Sequence, residues 1–437
     1  MESPEMQIYG WGRYPRVDAT IESPSSVEDC VQIVLDHESI IPRGLARSYG
    51  DSSLGSCVLE TMAIKASHDF EEATGILRCP AGTTFDEILQ LYVPRGWFLP
   101  VTPGTRFITV GGAIASDVHG KNHHIDGAFS HHVTEIDLLL GNGTIVKASR
   151  SLRSDLFWAT CGGMGLTGVI LFAKFKLIPI PSSSMIQTTL KLPDLESTLK
   201  AFEEQSDSRY SVAWIDSLAT GKNLGRSLMM LGSHATDKVF SYKHKQILTI
   251  PFDLPSVILN NFTVGMFNSL HYQRARAIDT RIIPLEQFFY PLDSIGNWNR
   301  LYGKQGLLQY QFVIPKRTGL EGITSILSAI AESGVTSFLA VLKLFGQGND
   351  QYLSFPVEGY TLALDFKAIP SSLSLLRKLD DMLVDLGGKI YLAKDARMPE
   401  SVFKIGYPNW QKFEDVRQRY HAIGKFSSLQ SRRLGLL

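Results

Sequence analysis

Two glycine-rich stretches set the strongest limit on how this chain can fold. Residues 43–51 read RGLARSYGD and residues 103–120 read PGTRFITVGGAIASDVHG. Segments with so few long side chains build no core of their own; they let backbone come close to another strand or to a ligand. In the first stretch the run follows a short strand at Ile40-Ile41-Pro42, so its amides can face an anion as a candidate phosphate cradle. Upstream, Ser25-Ser26-Val27-Glu28-Asp29 is an N-cap pattern. Val27, Val31 and Val34 at helical spacing then predict a helix that ends near His37. Thr83 to Val93 reads as a second capped helix, with Asp86 three residues after Thr83 and Gly96 closing it.

Gly163-Met164-Gly165-Leu166-Thr167-Gly168 matches G-x-G-x-x-G, but its flanks are reversed from those of a dinucleotide fingerprint. A helix pattern, Ser154 to Ala159, precedes the glycines, and a strand pattern, Val169 to Leu177, follows them. The motif therefore does not predict a nicotinamide site. Pro179, Pro181 and Ser182-Ser183-Ser184 read as a linker that closes a first unit. From about 185 to 388 strands such as 309–313 mix with helices such as 319–332, which predicts an α+β second unit.

A chain of 437 residues exceeds one ordinary core. Lys plus Arg and Asp plus Glu both total 43, so the chain lacks the positive excess that a nucleic-acid backbone requires. Cys30, Cys57, Cys79 and Cys161 lack paired spacing and read as reduced thiols. The start MESPEMQIYGWGRYPRVD shows no signal or transit pattern, which places the chain in the cytoplasm by default. Pro251, Asp253, Pro255, Asn260 and Asn261 interrupt the most apolar stretch, 247–267. It reads either as a partly buried loop with a short helix or as an apolar flap for a lipid.

Five of the eleven histidines fall within VHGKNHHIDGAFSHH, residues 118–132. His119 and His123 are four apart, but Gly120 and the lack of a capped helix argue against a metal-binding H-E-x-x-H geometry. No metal is expected; the histidines are expected to hydrogen-bond loop carbonyls around a ligand. Lys343 and Lys394 sit on strand-like segments, where each reads as a snorkelling surface residue or as an inward lysine that must pair or lose its charge.

The chain strongly resembles the vanillyl-alcohol-oxidase-type FAD proteins, and within them the decaprenylphosphoryl-ribose 2-oxidase family. The blocks that carry this are GWGRYP at 10–15, RGLARSYGD at 43–51, PGTRFITVGGAIASDVHGKNHH at 103–124, LFWATCGGMGLTG at 156–168, LLQYQFVIP at 307–315, LKLFG at 342–346 and YLAKDAR at 391–397. The stretch 185–280 matches only in patches. The resemblance implies an α+β, two-domain fold. An FAD-binding PCMH-type domain at 1–180 would be completed by 389–437, and a substrate domain with an antiparallel sheet would span 181–388.

It further implies FAD held by Arg43, Gly44, Leu45, Ala46, Arg47, Ser48, Tyr49 and Gly50. Gly104, Thr105, Thr109, Gly111, Gly112, Ala113, Ser116, His119, Gly120, Asn122, Gly168, Val169 and Tyr391 would complete that set. Arg47 stands where the superfamily often has a flavin-linked histidine, so the cofactor is expected to be non-covalent. Lys394, His119, Gln311 and Tyr49 are the implied catalytic set. Gln309, Gln311, Lys343, Phe345 and Lys394 are implied to bind the substrate.

The implied reaction oxidises the C2 hydroxyl of a polyprenylphosphoryl ribofuranose, the first half of an epimerisation that feeds cell-wall arabinan synthesis. An NADH-dependent reductase partner and peripheral contact with the inner membrane follow from the same resemblance, with the periplasm left open as a location. Two departures stand out: Ala46 replaces the usual glycine, and the residues around Thr361 and Ala363 differ. The alternatives are an aldonolactone or alditol oxidase acting on a free sugar, and a flavin- or lipid-binding scaffold without turnover.

Overall fold

The computed structural model describes residues 5–243, 248–255, 259–349 and 351–437. The N-terminal part builds two sheets. Four strands, Glu5–Tyr9, Arg16–Glu22, Cys57–Glu60 and Ile41–Arg43, lie side by side in that order, the last two junctions parallel. Five antiparallel strands follow, ordered Asp69–Glu71, Ile76–Pro80, Val169–Lys176, Val133–Leu139 and Ile145–Ser149. The helix at Val27–Asp36 is capped by Ser26 and ends at His37, as its spacing predicts. Ser154–Thr160 is helical and Val169–Lys176 is a strand, so the G-x-G-x-x-G run lies between a helix and a strand in the order opposite to a dinucleotide fold.

The second capped helix differs by one residue from expectation. It runs Phe85–Tyr92 with Thr84, not Thr83, as N-cap. The reason is reciprocal bonding: Thr84 Oγ1 accepts from the Glu87 amide, and the Glu87 carboxylate accepts from the Thr84 amide, at 3.1 and 2.7 Å. Gly96, at φ +81°, does end the following turn. The expected linker at 179–184 is ordered: Ser182 and Ser183 are buried and bond the Val239 carbonyl.

The middle of the chain forms one antiparallel sheet of eight strands, ordered Ile278–Pro284, Ser184–Leu192, Ser227–His234, Tyr210–Ile215, Ala340–Phe345, Gly359–Lys367, Leu307–Pro315 and Lys389–Ile390. Strand residues alternate between faces. On one face Phe312, Ile314, Leu342, Leu362 and Leu364 join the main core, and Ile314 meets the helix Gly319–Ser333 at Gly322. The register puts Gln309, Gln311, Lys343, Phe345, Thr361 and Asp365 on the opposite face.

Lys394 is not on a strand. The strand ends at Ile390, and Lys394 lies in a turn whose amide donates to the Tyr391 carbonyl. All four cysteines are free and buried. No helix among the described residues is long and apolar enough to cross a membrane. Within 247–267, residues 247 and 256–258 lie outside the described residues. The rest includes the start of a helix, Asn261–Arg274, whose Phe262 is 78% exposed, with Leu248 and Phe252 also exposed. Replacing Thr84 by Ala removes the bond from the Glu87 amide to Oγ1, leaves the backbone amide bond to Glu87 in place, and is expected to cost about 1 kcal/mol, read as a lower denaturant midpoint at unchanged slope.

Candidate functional site

The loop 43–51 is clamped from two sides. The amides of Trp11 and Gly12 donate to the carbonyls of Ser48 and Tyr49, and the Tyr49 amide donates to Ala393 in the C-terminal segment. Gly50 is required for this second contact, because a Cβ there would overlap the Asp395 carbonyl. Burial alone would raise the Asp395 carboxyl. Arg433 and Arg397, with the amides of Arg397 and Met398, outweigh it and hold Asp395 below the usual carboxylate range. Arg433 also pairs with Asp51 at 2.8 Å, so one guanidinium ties both segments.

Inside this clamp the backbone is shaped for an acceptor that the chain does not supply. Among the described residues, the amides of Leu45, Ala46, Arg47 and Ser48 meet no hydrogen-bond acceptor. Ala46 adopts φ +52°, the left-handed region that a glycine would enter without strain. Successive amides presented in this way form an anion-binding concavity, which fits the pyrophosphate of a dinucleotide. Gly104 faces open space, where a Cβ would meet nothing within 4 Å. The Arg47 guanidinium lies 4.0 Å from the centre of the Trp11 ring and 5.3 Å from that of Phe107.

Other expected cofactor residues are engaged within the protein. Arg43 bonds the Tyr9 and Ser53 carbonyls, and Gly44 packs on Thr109, which caps the short helix Val110–Ala115 through the Gly112 amide. Ala113 is buried in that helix, and Gly111 sits against Ala81. Thr105 Oγ1 accepts from the Phe107 amide. Asn122 bonds the Pro100 carbonyl and Asp126, and Gly120 lies against Thr102. Gly168, at φ +153°, closes on the Leu139 carbonyl where Val169 begins its strand. The Ser116 carbonyl accepts from the Tyr391 hydroxyl at 2.7 Å.

The expected catalytic residues converge around His119. Its Nε2 is 3.1 Å from Gln311 Nε2 and its Nδ1 is 3.0 Å from Lys343 Nζ, while Phe345, Phe355 and Tyr391 surround the ring. Burial holds this imidazole neutral, well below its ordinary pKa, and Lys343 acts in the same direction whenever it carries its proton. A neutral imidazole has one lone pair and one N–H. With the Gln311 amide donating to Nε2, Nδ1–H donates to Lys343, which accepts only as a free amine.

That state matches Lys343's own environment. Burial, reinforced by Lys121 and Lys394, lowers Lys343 to about 7. Lys121 is lowered to about 7 and Lys394 to about 8, in both cases first by burial. All three residues lie deep yet keep part of their surface accessible. Lys394 Nζ sits 4.0 Å over the Tyr49 ring, and Gln309 donates to Asp365 at 2.6 Å. The five histidines do not converge on one point. His124 and His132 bond the carbonyls of Ser208 and Asp126, as expected, but His119 bonds side chains, and neither His123 nitrogen has a hydrogen-bond partner among the described residues.

Sequence reasoning missed Lys121, Phe355, Tyr302 and Asp365. Asp365 left a readable signal, since Thr361, Ala363 and Asp365 alternate with bulky apolar residues along one strand.

A model of the FAD binding domain matches residues 15–149, which hold the clamped loop and the short helix after it. Decaprenylphosphoryl-beta-D-ribose oxidase of Mycolicibacterium smegmatis is 37% identical over 450 residues, covering 99% of this chain and 98% of that protein. An uncharacterized protein in the mprA 5' region of Streptomyces coelicolor is 30% identical, covering 81% of this chain and 100% of its own. The human Delta(24)-sterol reductase is 34% identical over 104 residues, 24% of this chain and 20% of the reductase. Cradle, buried site and family model together define an FAD-dependent oxidoreductase. The chain belongs to the decaprenylphosphoryl-beta-D-ribose oxidase family, which its match to the mycobacterial protein along nearly its whole length shows.

The left-handed position gives a direct check on the cradle. Ala46→Gly should keep flavin bound, whereas Ala46→Val, a β-branched residue at positive φ, should weaken retention roughly tenfold, read as flavin absorbance per protein after gel filtration.

Proposed function

We propose that this protein uses FAD to oxidise the C2 hydroxyl of a polyprenylphosphoryl β-D-ribofuranose to the 2-keto sugar. The observation that carries the reading is the buried cluster of three depressed lysines, the neutral His119 and the polar face of the Gln309–Gln311 strand. The name of the mycobacterial relative supports the substrate class. In this reading residues 1–180 with 389–437 form the FAD unit and 181–388 the substrate unit. Residues 389–390 nevertheless pair into the large sheet and join the two.

The flavin supplies the two-electron acceptor for the carbinol hydrogen, and the chain supplies the rest. Gly44 to Gly50 and the 104–120 stretch hold the cofactor. No histidine stands at Arg47 to link it, so it is held non-covalently. Lys394, lowered to about 8, is a free amine in a useful fraction of molecules near neutral pH and takes the hydroxyl proton. His119, fixed by Gln311 and Lys343 through both ring nitrogens, orients the sugar through ring contacts. Lys343 and Lys121 regain their charge when a phosphate enters, which offsets the burial of that anion.

The exposed apolar side chains of Phe252, Phe262 and Met266 favour a prenyl-linked substrate over a free sugar, which has no use for such a surface. The same surface suits peripheral membrane contact. The keto product requires a separate NADH-dependent reductase.

An anaerobic titration with a short-chain polyprenylphosphoryl ribose should bleach the visible flavin absorption, and a yellow protein that stays oxidised removes this substrate. Because the base must be deprotonated, kcat/KM should rise with pH and level off above about 8. Lys394→Met should abolish that limb and slow flavin reduction by about 10²-fold or more.

A further inference from the structure

We infer that Asp365 is a positioning residue for the proposed reaction: its buried carboxylate sets the charge state of Lys394 and stabilises the ammonium that Lys394 becomes on taking the substrate's hydroxyl proton. The inference rests on the reading of Lys394 as the base. Asp365 is fully buried, and its register partner Gln309 donates to Oδ1 at 2.6 Å. Oδ2 has no hydrogen-bond partner among the described residues, an arrangement that costs free energy unless it serves another group. The Tyr302 hydroxyl lies close enough to act on the same carboxyl, and it too is buried without a bond of its own.

The charges on each side are few. Facing Lys394 are the Tyr49 ring, the Lys343 amine, the neutral imidazole of His119, and Asp365. Among the described residues Asp365 is the one acid acting on Lys394, and it raises the lysine against the lowering caused by burial. The effect is mutual. Burial pushes Asp365 up to about 7, while the Gln309 bond, Lys394 and Tyr302 pull it back. Among the described residues no ion pair within 4.0 Å joins Asp365 to Lys394; the Tyr49 ring, 4.0 Å under Lys394 Nζ, and Gln309, 2.6 Å from Asp365, hold the two groups in one cluster, and the coupling acts through the low-dielectric space between them.

The proton balance is closed. The hydroxyl O–H breaks, its proton binds Lys394 Nζ, and the positive charge so created is offset by the carboxylate of Asp365, which itself transfers nothing. Tyr49 lies between the two systems, with Gln309 facing its hydroxyl and Lys394 above its ring.

The experiment follows the lysine directly. On the flavin-loaded protein labelled with ¹³Cε-lysine, the Lys394 resonance is assigned by its loss in Lys394→Arg and titrated with pH. Asp365→Asn, which keeps size and the Gln309 contact, should lower the Lys394 midpoint by roughly one pH unit. The rising limb of kcat/KM should move down with it. Tyr302→Phe, a milder change that keeps the acid, should shift the midpoint in the same direction by less. An unmoved Lys394 midpoint in flavin-retaining Asp365→Asn overturns the inference. A midpoint that moves in a protein that leaves polyprenylphosphoryl ribose unoxidised upholds the Asp365–Lys394 coupling and instead removes the substrate.

Discussion

The structure depends on one close contact, the approach of the loop 43–51 to the C-terminal turn 391–397. Gly50 lies so near the Asp395 carbonyl that no side chain fits between them, and the Tyr49 amide bonds Ala393 across the gap. Two segments more than three hundred residues apart are thereby fixed in register. The same contact places the cofactor cradle, Tyr49 and Lys394 in one frame. The ionic lock of Arg433 on Asp51 and Asp395 is mostly buried, so separating the segments would strand charge in a low-dielectric region. The cradle amides can remain unpaired inside the clamp because the surrounding backbone leaves them no alternative acceptor.

The eight-stranded sheet divides labour between its faces. One face is apolar and packs on helices, which fixes the strand positions. The other carries Gln309, Gln311, Lys343, Thr361 and Asp365, polar groups that a core would reject unless they bonded one another. They largely do: Gln311 reaches both His119 and Thr361, and Gln309 reaches Asp365. Rigidity of the apolar face is what keeps these polar groups at fixed spacing, since a shift of one residue in register would turn each of them into the helices.

Local signals were legible where the physics is local. Ser26, Gly96 and the helix-then-strand order around 163–168 could be read from neighbours within a few residues. The choice between Thr83 and Thr84 was not, because both are good caps and only the reciprocal bond to Glu87 decides. Lys394 looked like a strand residue because apolar neighbours surround it; the chain turns there, with the amides of Lys394 and Asp395 donating to the Tyr391 carbonyl. The set His119, Gln311, Lys343 and Lys394 came from resemblance, and the structure brings its members together. Asp365 escaped because its importance arises from register with Gln309, a long-range fact that alternation alone does not reveal.

Electrostatics explains how so many bases share one buried place. Burial lowers the proton affinity of all three lysines, and for Lys343 repulsion by Lys121 and Lys394 adds to it. Such a cluster carries less charge when empty of anions than three ordinary lysines would, which lessens the cost of burying it. An entering anion reverses the balance, because each proton regained is then stabilised by an opposite charge rather than opposed by a like one. Asp365 breaks the symmetry among the lysines. It acts on Lys394 and not on Lys121 or Lys343, so the lysine above Tyr49 keeps the highest proton affinity of the three, at about 8 against about 7. One acid on the polar face of the sheet thus separates a lysine suited to receive a proton from two suited to greet a phosphate.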